Sequence, residues 1–504
     1  MLKVGDIRNG YEILPQDERK TVLLLSDDLR MTSGVGNVSR DFVLGTVHRF
    51  NWIQVGGAIN HPEDGKNVDM GDDVAKRTGV PDPMVKVHPT SGYGNQFIIR
   101  NIINHYNPDA LMIYTDPRFW EWLFQMEQEI RATTPIFYYN IWDSLPYPMW
   151  NRKYYDSVDA LFNITKQTTN LVKQVRSSYE DWQVTYIPHG ISTEDFYPLP
   201  KKYDKQKEYD EFASKLPQNK DFILFYNARN IRRKLPADMI LAYRTFCDSI
   251  PKEDADRCLF LMHTSPQDPN GTDLPMVTKD LCPDYDVIFS QDKIDREQLN
   301  WLYNMADCSI LISSNEGFGL MGVETLMTGT PLIVNVSGGM QDYCGFKKKV
   351  ATDWDSDGNT TREKFEYLTV DDYTAEWGSN HDGRYKDHGE WVFPVYPSNR
   401  SVQGSLPTPY ISDDRPDFQD VAKQMKAAWS ERGAKLEKRG KAGRKFVLDP
   451  VNGFTGEEMC RRFTHDMEQA WDNFKPRGRM TMDNATVWER EKPKFNGLTL
   501  NKEI

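Results

Sequence analysis

Residues 313–345 read SSNEGFGLMGVETLMTGTPLIVNVSGGMQDYCG, and this stretch decides the fold. Two carboxylates, Glu316 and Glu324, stand with seven residues between them. The turn Gly317-Phe318-Gly319 follows the first and opens a helical pattern. Pro331-Leu-Ile-Val-Asn335 reads as a buried strand, and Gly338-Gly339 opens the next turn. Glu324 falls about two helical turns beyond Glu316, so both are expected to face one ligand near a helix N-terminus. Backbone N–H groups there carry partial positive charge and suit an anionic group such as a diphosphate.

The rest of the chain has the make-up of a large enzyme. At 504 residues it is too long for one compact core, and two domains or more are expected. A net charge of −12 argues against a polyanion binder overall, without excluding a local basic groove. The polar start, MLKVGDIRNGYEILPQDERK, lacks the apolar core of a secretory signal, and no apolar run reaches the roughly 20 residues of a membrane span. Cys247, Cys258, Cys282, Cys308, Cys344 and Cys460 are scattered without close pairs, as expected of free core thiols in a reducing compartment. The expected location is cytoplasmic.

Strand and helix patterns alternate, which predicts parallel sheets with helices on both faces. Thr21-Val-Leu-Leu-Leu25 is the first strand, followed by a helix over 37–47. Further strands are expected at 51–56, 84–88, 109–114, 135–141 and 158–163. Residues 184–190 close this half, and 201–220 read as a charged, poorly patterned connector. A second series runs through 222–226, 259–263, 287–289, 309–312 and 331–335. Two Rossmann-like halves with a cleft between them follow, since ligands in such sheets sit at the strand carboxyl ends.

The layout strand–Glu–Gly-x-Gly–helix–Glu–Gly-x-Pro–strand resembles the retaining nucleotide-sugar glycosyltransferases of GT-B fold, the broad group that includes sucrose and glycogen synthases. The resemblance covers roughly residues 20–475. It implies an α/β, GT-B architecture: an N-terminal acceptor-side domain over 1–198 and a donor domain over 199–455, with an insertion at about 345–416. Residues 456–504 would supply a helix crossing back, plus a tail. It also implies that Glu316, with Gly317, Phe318, Gly319 and Leu320, lies against the donor sugar, and that Glu324 binds the nucleotide ribose. In the family an Arg at the end of the first donor-domain strand and a Lys five residues on grip the diphosphate. Arg229 and Lys234 match that spacing, although Arg232 and Arg233 could share the role. The loop Ser33-Gly34-Val35-Gly36-Asn37 would border the donor phosphates, with Gly34, Gly36 and Asn37 as donor-binding residues. Pro188-His189-Gly190 resembles the family's Pro-Asn-Gly crossover, with His189 in place of Asn.

Departures from the family bear on the acceptor side. Trp142 stands where a His often does, with Asp143 beside it; Asp143 either orients a sugar hydroxyl or helps deprotonate the acceptor, or else caps the following segment. His88, at a strand end, either lines the acceptor side or is structural. Asp353-Trp-Asp355-Ser-Asp357-Gly358 opens like a calcium loop, but its twelfth position is Lys364 and no metal is assigned. Asp284-Tyr-Asp286 precedes its strand and is likewise set aside. Basic clusters at 432–445 and 475–479 read first as solvated helix faces. The resulting expectation is a metal-independent retaining transferase needing no cofactor, which moves a sugar from a nucleoside-diphosphate sugar to a hydroxyl acceptor. A glycan, lipid-linked sugar, metabolite, protein or modified nucleic acid would serve. A nucleotide-sugar epimerase, a phosphorylase and a non-catalytic nucleotide-sugar binding module are the alternatives.

Overall fold

Runs of large and β-branched apolar residues bounded by polar turns build two separate parallel sheets. The computed structural model of the protein describes residues 7–58, 60–354, 360–375 and 384–477. In the first half lie β1 (Lys20–Asp27), β2 (Phe50–Ala58), β3 (Val68–Asp69), β4 (Val85–Ser91), β5 (Ala110–Tyr114), β6 (Ile136–Asn140), β7 (Ala160–Asn163) and β8 (Val184–Tyr186). They pair in the order β8-β7-β6-β5-β1-β2-β4-β3, parallel except for the edge strand β3. In the second half lie β9 (Phe222–Asn227), β10 (Cys258–His263), β11 (Val287–Ser290), β12 (Cys308–Leu311), β13 (Leu332–Asn335) and β14 (Val392–Val395). Their order is β11-β10-β9-β12-β13-β14, parallel throughout. Leu23, Leu24 and Leu25 in β1, and Leu332, Ile333 and Val334 in β13, are all fully buried. Helices on both sheet faces explain why these strands read as continuous apolar runs instead of alternating ones.

In each sheet the strand order reverses once, and there the crossovers diverge and open a crevice at the carboxyl ends. In the second sheet the reversal falls between β9 and β12, beneath loops 228–235 and 312–319. In the first it falls between β1 and β5, at loop 28–33. The GT-B expectation of two Rossmann-like domains is met, and the fold brings the loops singled out in the sequence to the two switch points.

The domains are tied at the crossover. Ile191 N donates to the Phe454 carbonyl at 2.9 Å, and Gly456 N to the Ile191 carbonyl at 3.0 Å. From there the helix Gly456–Asn473 returns to the first domain, where Phe463 meets Phe42 with ring centroids 5.0 Å apart and Arg49 pairs with Glu468 at 2.6 Å. His189 is buried between Tyr139 Oη, 2.7 Å from Nδ1, and Tyr114 Oη, 3.3 Å from Nε2. Burial pushes its pKa down to about 3, so it acts as a neutral packing residue.

Three expectations change. The connector holds a helix, Gln206–Ala213. The stretch at 345–416 is not all insertion, because β14 within it completes the donor sheet; two hairpins, Lys347–Trp354 with Thr360–Tyr367 and Asn399–Ser405 with Thr408–Arg415, flank that strand. The helix with the second carboxylate spans only Leu320–Met327, so Glu316 lies in the loop before it. All six cysteines are buried and unpaired. The acidic loop at 353–358 falls largely outside the described residues, as does the end of the 475–479 cluster. Among the described residues no helix is long and apolar enough to cross a membrane.

The helix Leu320–Met327 is seated by close backbone approach. A Cβ on Gly440, in the helix Ala434–Leu448, would overlap the Gly329 carbonyl. Ala normally gains up to about 1 kcal/mol over Gly inside a helix. Here the clash with main chain should win, and Gly440→Ala should destabilise by about 1–3 kcal/mol, read as a lower urea midpoint at unchanged slope.

Candidate active site

Glu316 is 4% exposed, yet it is surrounded by charge. Its Oε2 accepts from Arg233 Nη1 at 2.8 Å, and its Oε1 from Ser313 Oγ at 2.6 Å and from Lys234 Nζ. Burial alone would raise its pKa; Arg233 and Lys234 outweigh that and hold it down at about 2. Burial lowers the pKa of Lys234, with Glu316 acting against it, whereas Arg233 is raised chiefly by Glu316. Arg233 also donates to the Asn315 carbonyl at 2.7 Å, and Ser314 N donates to the Arg233 carbonyl at 2.8 Å. The loops leaving β9 and β12 are thereby laced together over the switch point.

Behind Glu316 the chain turns at Gly319, whose φ of 79° is left-handed, the conformation in which glycine is least strained. As N-cap of the helix Leu320–Met327, Gly319 supplies no side-chain acceptor. Gly322 N turns back to the Gly319 carbonyl at 2.8 Å, and the Leu320 and Met321 amides ahead of it are the groups a helix cannot satisfy internally. Glu324 is half-buried on that helix, its Oε2 accepting from Tyr303 Oη at 2.5 Å; burial raises its pKa. Tyr303 Oη in turn accepts from Asn227 Nδ2 at 3.1 Å, linking Glu324 to the end of β9.

The first domain faces this cluster closely. A Cβ on Gly317 would lie 3.0 Å from the Ile141 carbonyl and 3.7 Å from Asp143 Cβ. One on Gly34 would lie 3.8 Å from Leu320 Cδ1, so the glycine loop before the helix Gly34–Thr46 and the helix after Gly319 meet across the cleft. Asn37 Oδ1 accepts from Arg40 Nη2 at 2.9 Å, and the Gly36 amide caps on Ser33 Oγ at 3.0 Å. Asp143 has no ion-pair partner among the described residues. Burial, opposed by Arg233 and reinforced by Glu316, pushes its pKa up to about 6. Two carboxylates at one crevice are thereby driven apart in acidity.

Not every residue singled out in the sequence converges. Arg229 is 62% exposed and forms a two-pronged pair with Asp268, at 2.7 and 3.2 Å, while Arg233 makes the contact with Glu316. His88 bonds Tyr106 Oη at 3.1 Å, and Asp286 pairs with Lys220 at 2.5 Å. Ser313 and Tyr303 were not singled out. Ser313, three residues before Glu316 at a strand end, was within local reach; Tyr303, 21 residues from Glu324, carries no local signal.

Two Rossmann-like domains facing each other across this cluster are the arrangement of the GT-B fold. Residues 215–378, which include Arg233, Lys234, Glu316 and Glu324, match the family described as family 4 glycosyltransferases in conflict systems. Among solved structures the chain is similar to a glycosyltransferase of Rickettsia africae, at 16% identity and TM-score 0.58 over 90% of this chain and 99% of that one. It is also similar to the sucrose-phosphate synthase of Thermosynechococcus elongatus, at 14% identity and TM-score 0.60 over 90% and 100%. A third is HepE of Anabaena, in complex with UDP and glucose, at 12% identity and TM-score 0.58 over 90% and 100%. No curated protein matches the chain by sequence.

A carboxyl-carbon NMR titration, assigned with Asp143→Asn, should place the Asp143 midpoint near 6. Arg233→Ala should move that midpoint further up, because the guanidinium is the main influence opposing burial. A downward move would show that Arg233 does not act on Asp143.

Proposed function

We propose that the protein transfers a sugar from a nucleoside-diphosphate donor to an acceptor hydroxyl with retention at the anomeric carbon, and that protein cations do the work a metal does elsewhere. The observation that carries this reading is the buried Glu316 carboxylate, held by Lys234 and by the part-exposed Arg233, beside a helix N-terminus with no side-chain cap at the switch point. A donor diphosphate placed there would meet the N–H groups of the first helical turn and share the two cations with Glu316. Glu324, steadied by Tyr303, is positioned to accept from the ribose hydroxyls. As the sugar–phosphate bond breaks, negative charge grows on the leaving diphosphate, and Lys234 and Arg233 stabilise it. The departing phosphate oxygen then takes the proton of the acceptor hydroxyl as that oxygen attacks from the same face. Asp143 orients the acceptor hydroxyl from the opposite domain. HepE holds UDP, and a structure from E. coli holds UDP-2-fluoro glucose, so UDP sugars are the first donors to try.

A panel of nucleoside-diphosphate sugars, followed by nucleoside diphosphate release with and without acceptor, tests the reading; an epimerase would interconvert sugars without release. With the active donor, Lys234→Ala should lower kcat by about 10²-fold while changing donor KM less, because the cation matters most where charge develops. Arg233→Ala should act in the same sense and Arg229→Ala far less. A larger loss at Arg229 than at Arg233 would return the diphosphate to the sequence-matched arginine. Glu324→Ala should weaken nucleoside diphosphate binding by about 1.5–3 kcal/mol. Chelator should leave the wild-type rate unchanged, and strict dependence on a divalent cation would sink the charge assignment.

A further inference from the structure

The hairpin Asn399–Ser405/Thr408–Arg415 follows β14 in the donor domain but lies against the other domain. At its foot the Asp414 carbonyl accepts from Asn335 Nδ2 at 2.9 Å, and the same nitrogen reaches the Ser313 carbonyl at 2.8 Å. Ser337 Oγ lies 3.2 Å from both the Asp414 carboxylate and the Ser314 carbonyl, so the hairpin is rooted in the loop that carries Glu316. Along its second strand Ser412 N donates to the Leu145 carbonyl at 2.8 Å. Tyr410 Oη donates to the Tyr147 carbonyl at 2.9 Å and accepts from Met149 N at 3.1 Å. These contacts grip the segment that begins with Asp143. At the turn, Arg118 Nη1 donates to the Pro407 carbonyl at 3.1 Å while Asp116 holds the rest of the guanidinium.

The neighbour of that arginine is an aromatic platform. Phe119 stacks on Tyr93 with centroids 4.5 Å apart and planes within 6°, and it remains 46% exposed. Tyr93 Oη donates to Asp27 at 3.0 Å, which fixes the stack at the carboxyl end of β1, on the cleft side of the acceptor domain. Leu406, at the hairpin turn, is fully exposed. The charges along this edge are unsuited to a phosphate. Arg30 is bound by Asp28 and Glu63, and Arg118 by Asp116, leaving an excess of carboxylate once Asp27 and Asp143 are included. An incoming phosphate would have to displace a carboxylate from an arginine, whereas sugar hydroxyls would find acceptors in place.

On the glycosyl-transfer reading above, we propose that the hairpin and the Phe119–Tyr93 stack are the two walls of the acceptor site. The acceptor is then an uncharged saccharide ring seated on the open face of Phe119, its hydroxyl directed toward Asp143. Tyr410 is a positioning residue that holds the wall through Tyr147 and Met149.

The test uses the full chain and the donor identified by the nucleotide-sugar panel, with glucose, maltotriose, glucose 6-phosphate and a single-stranded oligonucleotide bearing hydroxymethylated bases as acceptors. Maltotriose or glucose should accelerate nucleoside diphosphate release. Phe119→Ala should raise the saccharide KM by about tenfold, the scale of a lost ring contact, and Phe119→Trp should restore it. Tyr410→Phe should raise the same KM while the Kd for the nucleoside diphosphate, read by calorimetry, stays unchanged in all three variants. A preference for glucose 6-phosphate or the oligonucleotide would overturn the proposal. So would an unchanged saccharide KM in Phe119→Ala, or no stimulation by any saccharide while the nucleotide binds. Loss of nucleotide binding by the wild type would instead strike the transfer reading itself.

Discussion

Everything at the cleft depends on one buried carboxylate being matched by two cations on a different loop. Stripping Glu316 of water is costly, and it is tolerable only because Arg233 and Lys234 come to it from the end of β9 while Ser313 completes its shell. Strands β9 and β12 are neighbours, with Leu224 opposite Cys308 and Phe225 opposite Ser309, so their loops emerge side by side. Lys234 and Glu316 form the buried pair, and breaking such a pair by removing one partner typically costs about 3–5 kcal/mol, whereas the more exposed Arg233 is screened by solvent and contributes less. The same contact concentrates positive charge beside a helix N-terminus, the setting in which the proposed donor diphosphate would be held.

A second constraint keeps the two halves at working distance. The returning helix Gly456–Asn473 packs on the first domain, and Arg296 at the start of the helix Arg296–Met305 bonds Asp41 at 2.9 Å and Asp195 at 2.5 Å. Asp41 belongs to the helix after the glycine loop and Asp195 to the segment after the crossover, both within 1–198, so this arginine ties the donor domain to the first at two points. Close backbone approach does the rest, since a Cβ on Gly339 would overlap the Gly317 carbonyl and press on Thr165. The two domains therefore approach closely where Gly317 meets Ile141 and Asp143, and the ion pairs of Arg296 tie them elsewhere.

Much of this was legible in the sequence because buried parallel strands advertise themselves. Leu23-Leu24-Leu25 and Leu332-Ile333-Val334 are apolar on both faces, and glycine turns mark where helices begin. The elements that the sequence leaves unmarked lack that signature. Strand β14 is four residues long, contains Pro394 and lies inside a polar, aromatic-rich stretch, so it reads as insertion. The helix Gln206–Ala213 has no fully buried residue, and its short stripe of Tyr209, Phe212 and Ala213, which packs on Trp301, is easily missed in a run crowded with charges. Spacing matched Arg229 to the family's arginine but could not reveal that Asp268, 39 residues on, pairs with it. Long-range partners of this kind, Tyr303 for Glu324 among them, are properties of the fold and leave no local trace.

The electrostatics also bear on how the proposed retention would be achieved. A double displacement needs a carboxylate nucleophile with a free lone pair aimed at the anomeric carbon. Glu316 is a poor candidate, because both oxygens are committed to donors and its pKa near 2 marks a strongly stabilised anion of low basicity. Asp143, with a pKa near 6, is the more basic of the two, but it sits on the first domain, across the cleft from the donor loop. Such a group suits holding an acceptor hydroxyl better than trapping a sugar. A crevice with cations massed on the leaving-group side and no unencumbered nucleophile in the donor loop favours attack on the face from which the phosphate departs. In that proposed route the phosphate oxygen itself would receive the proton, and Glu316, which fixes Arg233 and Lys234, would hold the sugar.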